Sequence, residues 1–244
     1  MNLLYSSSTS PTFNLAAEEF LFSHSQNDYL FLYVNKESVI IGSNQVLHNE
    51  VNIDFCNAND IQIVRRLSGG GAVYHDQGNL NFSFISNKEG NRSALGSDFL
   101  IPVVEVLKSL SVKVEIGARK DLWLPGGFKI SGTASHVTKK RELHHGTILY
   151  NSDLSKLQQS LSVVDKDISA KGIASVRSTV KNIKSYLIEQ NQPEQSPYLF
   201  FHQIKNKFLE LFEFDDLEKF LSDEIIQIEL LEQKYKSIEW TYRK

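Results

Sequence analysis

The sequence predicts an α/β protein of the α+β kind, built on a mixed, mainly antiparallel sheet flanked by helices. Three observations lead there. Short β-prone runs such as Tyr29 to Val34 and Leu80 to Ile85 recur in the first two thirds, glycine and asparagine turns punctuate them, and the C-terminal third changes to helical spacing. At 244 residues the chain can bury one sizeable core. No internal repeat, low-complexity tract or linker divides it, so a single domain over 1–244 is expected.

After a β-like start at Leu3 to Ser6, Asn14 can cap a helix to about His24 that turns Ala17, Phe20 and Leu21 toward a core. Tyr29 to Val34 and Val39 to Ile41 read as strands joined by a hairpin turn at Asn35-Lys36-Glu37, and Gly42 ends the second. Ile61 to Arg66 is a further strand leading into Ser68-Gly69-Gly70-Gly71. Leu80, Phe82 and Phe84 alternate with Asn81 and Ser83, the pattern of a half-buried strand. Ser97 to Leu110 has helical spacing with Pro102 in its first turn, and Val112 to Ile116 returns to strand. Phe128 to Val137 and His145 to Tyr150 are expected as neighbouring strands joined by the charged turn Lys139 to Glu142. Gln190 to Ser196 is a loop, and Pro197 opens a helix in which Phe201, Ile204, Phe208 and Leu211 recur at spacings of three and four.

Hydrophobic content of 41%, charged content of 23% and a net charge of -3 describe an ordinary globular protein and argue against bulk nucleic-acid binding. The single cysteine, Cys56, can form neither an intrachain disulfide nor a metal-binding cysteine cluster, which fits a reducing, cytoplasmic setting. The N-terminus has no basic region followed by an apolar run, and Glu18 and Glu19 argue against a transit peptide, so the protein is expected to begin at Met1. No window is apolar over a bilayer-spanning length, so no membrane partner is expected.

The chemistry concentrates in four short clusters. In Arg65-Arg66-Leu67-Ser68-Gly69-Gly70-Gly71-Ala72-Val73-Tyr74-His75-Asp76, three glycines let backbone N–H groups approach an anion while the arginines supply bidentate donors, although a glycine-rich turn with surface arginines has the same composition. It is neither a Walker loop, lacking Gly-Lys-Ser/Thr, nor a dinucleotide fingerprint, since the glycines are contiguous and a strand follows. Lys129-Ile130-Ser131-Gly132-Thr133-Ala134 sets a cation on a strand beside small residues that leave room for a ligand, or places an ordinary edge charge. His144 and His145 are adjacent on a strand and so face opposite sides, which favours structural or hydrogen-bonding roles over shared metal coordination. Lys171 to Arg177 is a loop with a cation at each end.

Taken in order, RRLSGGGAVYHDQGNLNFSF, FKISGTA, HHGTILYNSDL and AKGIASVRS closely resemble the lipoate-protein ligase A and lipoyltransferase family, from about Asn14 to Trp240. The resemblance implies the biotin- and lipoate-ligase catalytic fold, akin to class II aminoacyl-tRNA synthetase domains. It implies a lipoate–protein ligase that uses ATP and Mg2+ to convert lipoate to lipoyl-AMP and then transfers the lipoyl group to a carrier lysine, with no prosthetic group. The implied carriers are the glycine-cleavage H protein and the E2 lipoyl domains of 2-oxoacid dehydrogenases. By the same resemblance, Arg66 and Gly71-Ala72-Val73-Tyr74 fall on the ATP and acyl-adenylate site, while Arg65, Gly69, Gly70 and His75 shape the lipoyl tunnel and loop. Lys129 matches the family's indispensable lysine, Lys171 to Arg177 with Ser175 matches the adenylate loop, and Asp76, Asn79 and Asp121 fall near the phosphates or the metal ion. Val73, Tyr74 and Phe82 are available to wall an apolar tunnel.

The sequence departs from the family at Ser43, where a basic residue is usual, at Val46-Leu47 in place of Asn-Pro, and at Lys120, where Arg119-Lys120-Asp121 replaces Arg-Asn-Asp. The small C-terminal accessory domain of many relatives is expected to be absent or to sit on a separate chain. That leaves two alternatives open, a transferase moving a pre-activated or carrier-bound lipoyl or octanoyl group, and a non-catalytic carrier-binding paralogue. Cys56 precedes the glycine loop and reads as a buried helix residue, unlike the cysteine nucleophile of octanoyltransferases, and Arg65-Arg66 with the triple glycine disfavours biotin ligation.

Overall fold

The computed structural model describes residues 1–89, 92–93, 98–163, 172–214 and 216–243. The chain opens with β1 (Asn2–Tyr5), α1 (Pro11–Ser23), β2 (Tyr29–Val34), β3 (Ser38–Ile41), α2 (Leu47–Glu50) and α3 (Ile53–Ala58). It continues through β4 (Gln62–Arg65), β5 (Val73–His75), β6 (Asn79–Glu89), β7 (Arg92–Ser93) and α4 (Ile101–Ser109). Then come β8 (Glu115–Ile116), β9 (Leu122–Leu124), β10 (Phe128–Ser131), β11 (Thr133–Val137), β12 (Arg141–Leu149) and α5 (Leu154–Ser160). The helices α6 (Ile183–Glu189), α7 (Pro197–Leu211), α8 (Ser222–Lys236) and α9 (Ile238–Tyr242) complete it.

The main sheet runs β1-β2-β6-β12-β11, with β7 paired to β6. Only β1 and β2 run parallel in it, so the mixed, mainly antiparallel expectation holds. Residues of β2 are buried on both sides because both faces are covered. Leu30 and Leu32 join Leu80, Phe82 and Phe84 of β6 against α4 and α7, where Val103, Leu107, Ile204 and Phe208 pack. Phe31 and Tyr33 pack on the other face against Leu15, Ala16 and Phe20 of α1 and Ile228 and Tyr235 of α8. Each of these large side chains contributes roughly 1.5–3 kcal/mol of transfer free energy.

Two small sheets attach to this frame and carry much of the chemistry, β4-β3-β5 and β10-β9-β8. The division corrects the hairpin expected at Asn35-Lys36-Glu37, because β2 and β3 belong to different sheets. Asn35 is fully buried and holds the crossing, accepting from Asn14 Nδ2 at 2.8 Å. Phe128 to Val137 is likewise two strands, since β10 and β11 lie in separate sheets with Gly132 between them. Helix α1 begins earlier than expected: Ser10 caps it, accepting from Phe13 N at 3.3 Å, with Pro11 in the first turn. Asn14 therefore lies inside the helix, where its amide bonds the strand crossing. Strand β8 is shorter than Val112 to Ile116, and Ser97 lies outside the described residues. Helix α7 starts at Pro197 and buries Phe200, Phe201, Ile204 and Phe208, while Leu211 stays exposed. No helix among the described residues is long and apolar enough to cross a membrane.

Candidate active site

Strand β4 delivers two arginines to the glycine loop, and alternation sends them to opposite sides. Arg66 lies beneath the loop and holds its shape: Nε donates to Ser68 Oγ at 2.9 Å, Nη1 to Ile40 O at 3.0 Å, and Nη2 to Gly69 O at 2.5 Å and Gly71 O at 2.8 Å. Gly70 sits at φ +85, in the left-handed region, and a Cβ there would stand 3.1 Å from Arg66 Nη2. Arg65 faces the other way, is 1% exposed, and spends its donors on backbone carbonyls of Gly42, Ser43, Gln45, Thr241 and Arg243.

Lys129 is carried by β10, which pairs with β9, and a register shift follows it before Ser131. Its backbone is fixed on the other side by the 172–181 segment, which accepts from Lys129 N through Thr179 O and donates to Lys129 O through Lys181 N. The ammonium Nζ stands 3.1 Å from Asp121 Oδ2, with Arg119 Nη2 at 3.5 Å from the same oxygen. Burial would raise the Asp121 carboxyl, but hydrogen bonds from Trp123 and Lys129 outweigh it and hold the group below the ordinary aspartate value. Lys120 occupies the left-handed region at φ 56. That conformation favours Asn or Gly over the lysine present here.

Ser175 joins the 172–181 segment to the glycine loop. Its Oγ accepts from Ala72 N at 2.9 Å and from Gln45 Nε2 at 3.0 Å, and its own N–H donates to Glu50 Oε2 at 3.1 Å. Gly71 must lack a side chain because a Cβ there would stand 2.9 Å from Ser175 Oγ. Lys171 lies outside the described residues.

Two cavities open on these elements. The larger, about 530 Å³, is walled by Tyr74, Asn79, Lys129, Ser175 and Arg177 and by Leu154, Leu157 and Leu161. The smaller, about 310 Å³, is walled by Arg66, Gly70, Gly71, His75, Asp121 and Lys129 and reaches the apolar surfaces of Leu15, Tyr33 and Ile40. Ala72, Val73, Lys129, Gly132, Thr147, Ser175 and Val176 border both, so the cavities adjoin. Lys129 is the one cation among the described residues common to both walls.

Behind the smaller cavity lies a buried polar network that sequence reasoning found only in part. His145 Nδ1 meets Glu18 Oε1 at 2.8 Å and Nε2 meets Ser68 Oγ at 2.6 Å, while Ser83 Oγ donates to Glu18. Burial pushes the Glu18 carboxyl up, yet His145, the Ser83 hydroxyl and the Arg66 charge together hold it below its ordinary value. Burial pulls the Arg66 guanidinium down to about 10. His144 faces the other side of the sheet, stacks on Phe99 and bonds Ser135 and Glu142, so the two histidines diverge as strand geometry requires. Glu18 carries no sequence signal of its own, since an acid in a helix ordinarily faces solvent.

His75 has a defined tautomer. Asn14 Nδ2 donates to Ser8 O at 2.9 Å and to Asn35 Oδ1 at 2.8 Å, so the Asn35 amide nitrogen is left to donate to His75 Nδ1 at 3.0 Å. Nδ1 is the acceptor and Nε2 carries the proton. Burial first, then the Arg66 and His145 charges, pull this imidazole down to about 3, so it stays neutral.

The three residues expected at a metal take different places relative to the cavities, with Asn79 N donating to Asp76 O at 3.1 Å. Asp76 accepts from Gly78 N and Asp153 N, both at 2.8 Å, and borders neither cavity. Asn79 borders the larger cavity and Asp121 the smaller. Among the described residues no group of three or more His, Cys, Asp or Glu is placed to hold a metal ion. Arg65 and Gly69 also border neither cavity, and Phe82 packs in the core on the far face of β6 rather than in a cavity wall.

The signature described as the Lipoyl protein ligase A/B catalytic domain matches residues 10–208. The chain belongs to that family. Among curated relatives of the lipoyl ligase family, it is 44% identical over 189 residues to lipoate–protein ligase 1 of Staphylococcus aureus, covering 77% of this chain and 57% of that one. It thus spans about half the length of the curated relatives it matches. Among solved structures, it superposes with a TM-score of 0.81 on a Thermoplasma acidophilum protein described as part of a bi-partite lipoate protein ligase with its E2 lipoyl domain, at 30% identity over 99% of this chain and 95% of that one. A lipoate-protein ligase A bound with ATP gives the same TM-score at 27% identity, covering 99% and 98%. The lipoyl-ligase fold expected from the sequence is therefore the fold observed.

Proposed function

We propose that this chain activates lipoate with ATP and transfers the lipoyl group to a lysine of a carrier domain. The observation that carries the reading is the position of Lys129 between two adjoining cavities. One has the size and polar edge for a nucleotide, and the other reaches apolar surface suited to an acyl tail. The relatives described as lipoate ligases, one of them bound with ATP, support the same assignment.

In the first half-reaction a lipoate carboxylate oxygen attacks the α-phosphorus, an O–P bond forms, and the bond to pyrophosphate breaks. Negative charge gathers where carboxylate and phosphate meet, and Lys129, aimed by Asp121, lies between them. Arg66 supports the loop backbone beside it and Ser175 holds Ala72 N at the floor of both cavities. In the second half-reaction the carrier's neutral lysine amine attacks the acyl carbon, AMP departs with the bonding pair, and the amide nitrogen loses a proton. Lys129 then stabilises the oxyanion at the carbonyl. Mg2+ is proposed as the companion of the ATP phosphates, a substrate component rather than a resident ion. The carriers proposed are E2 lipoyl domains and the glycine-cleavage H protein. By likeness to the bi-partite archaeal ligase, a second chain aiding adenylation belongs to the proposal.

Lipoate-dependent exchange of radiolabelled pyrophosphate into ATP tests the adenylation half directly. Exchange that depends on Lys129 is expected. Carrier modification from supplied lipoyl-AMP without any exchange would instead assign the chain the transfer step alone.

A further inference from the structure

Arg65 is a buried guanidinium that borders neither cavity and pairs with no carboxylate among the described residues. Burying such a charge is costly unless its donors are satisfied. Backbone carbonyls satisfy them from two directions. On one side Nε and Nη2 donate to Thr241 O at 3.0 and 2.8 Å, and Nη2 also to Arg243 O at 3.2 Å. On the other, Nη1 donates to Gly42 O and Gln45 O, both at 2.9 Å, and to Ser43 O at 3.3 Å. Helix α9 is locked onto the same residue through Trp240, whose indole N–H donates to Arg65 O at 2.7 Å and whose ring lies between Lys234 at 3.9 Å and Arg243 at 3.7 Å.

The turn that Arg65 holds is the one that reaches the site. Gln45 Oε1 accepts from Gly42 N at 2.9 Å, and Gln45 Nε2 donates to Ser175 Oγ at 3.0 Å and to Ile173 O at 3.2 Å. Ser175 Oγ in turn accepts from Ala72 N of the glycine loop at 2.9 Å. A continuous chain of hydrogen bonds therefore runs from α9 through Arg65 and the Gly42–Gln45 turn to the loop between the two cavities.

We infer that Arg65 is a positioning residue for the proposed adenylation, transmitting the placement of the C-terminal helix to the Ser175 loop and so setting the geometry in which that loop meets ATP. The inference rests on the ligase reading for what the loop holds, and on the hydrogen-bond chain alone for the coupling. Arg65 touches no reacting atom.

The test compares the full-length wild type with Arg65→Lys, which keeps the charge but cannot span both sets of carbonyls. Hydrogen exchange is followed in peptides covering 69–76, 172–180 and 238–243, alongside KM and kcat for ATP in lipoate-dependent pyrophosphate exchange. Faster exchange of about tenfold or more at the Ala72 and Ser175 amides is expected, together with a KM for ATP raised about tenfold at little change in kcat, since each lost hydrogen bond to a charged group is worth about that factor. Faster exchange confined to 238–243, with both loop peptides as in wild type, would overturn the inference and leave Arg65 an anchor for α9 only. Should Arg65→Lys fail to fold cooperatively, Trp240→Phe loosens α9 without touching the guanidinium, and the same loop peptides must quicken for the inference to stand. A wild type without pyrophosphate exchange would undo the adenylation reading, while the hydrogen-exchange comparison would still decide the coupling.

Discussion

Lys129 and Asp121 meet at 3.1 Å, with Asp121 immediately before β9 and Lys129 on the paired strand β10. The carboxylate is 3% exposed and held below its ordinary value, so it remains an anion that aims the ammonium at the border between the cavities. Asp121→Asn should lower kcat/KM for adenylation by roughly 10- to 100-fold through misplacement of Lys129. The Mg2+ dependence should not change. A requirement for much more Mg2+ in this variant would mean that Asp121 meets the metal instead.

The glycine loop offers an internal comparison. A Cβ on Gly71 would stand 2.9 Å from Ser175 Oγ and 3.2 Å from Ser175 Cα, whereas one on Gly69 meets nothing within 4 Å. Gly71→Ala must push the Ser175 loop outward, and KM for ATP is expected to rise at least roughly tenfold. Gly69→Ala should leave steady-state kinetics within about twofold of wild type. Equal effects at the two positions would contradict the packing described.

Lys120 adopts a left-handed backbone at φ 56 without the permissive side chain that conformation favours. Lys120→Asn is expected to stabilise the fold by roughly 0.5–1 kcal/mol, seen as a higher urea midpoint at unchanged slope. An unchanged or lower midpoint would show that the lysine contributes compensating interactions.

His75 gives the stability a pH dependence of definite sign. Its folded-state value, about 3, lies below the ordinary 6.5, so the unfolded chain binds more protons between those limits and stability must fall as the medium is acidified through that window. The loss begins near pH 6.5 and is complete near pH 3. Replacing His75 with Gln should flatten the decline between pH 6 and 4 by up to about 1.4 kcal/mol per pH unit, measured as urea midpoints across the series. Parallel profiles for the two proteins would show that His75 is not buried neutral.

What the sequence revealed and what it concealed divide along the reach of the interactions. Strand β2 falls where Tyr29 to Val34 places it, because its apolar run signals locally. The start of α1 lies at Ser10-Pro11, an N-cap and first-turn pair, four residues before the cap expected at Asn14. The separation of β2 from β3 could not be read, since β3 takes its partners from β4 and β5 further along the chain. The motifs brought Lys129, Arg66, Gly70, Gly71, Ala72, Val73 and His75 to one cavity wall. They drew Arg65 to the tunnel as well, whereas it takes the face opposite Arg66 and turns its guanidinium to the carbonyls of α9. Nor could they show Gln45 meeting Ser175, 130 residues apart, or Glu18 of α1 beneath His145 of β12.

Lys129 is proposed to serve both halves of one reaction, and mass spectrometry of an apo lipoyl domain incubated with this protein, lipoate, ATP and Mg2+ tests that role most directly. Addition of one lipoyl group to the carrier lysine is predicted, with a loss of about 1000-fold or more in rate for a Lys129→Ala variant that keeps the wild-type melting transition. No modification by the wild-type protein, either from lipoate and ATP or from supplied lipoyl-AMP, would contradict it.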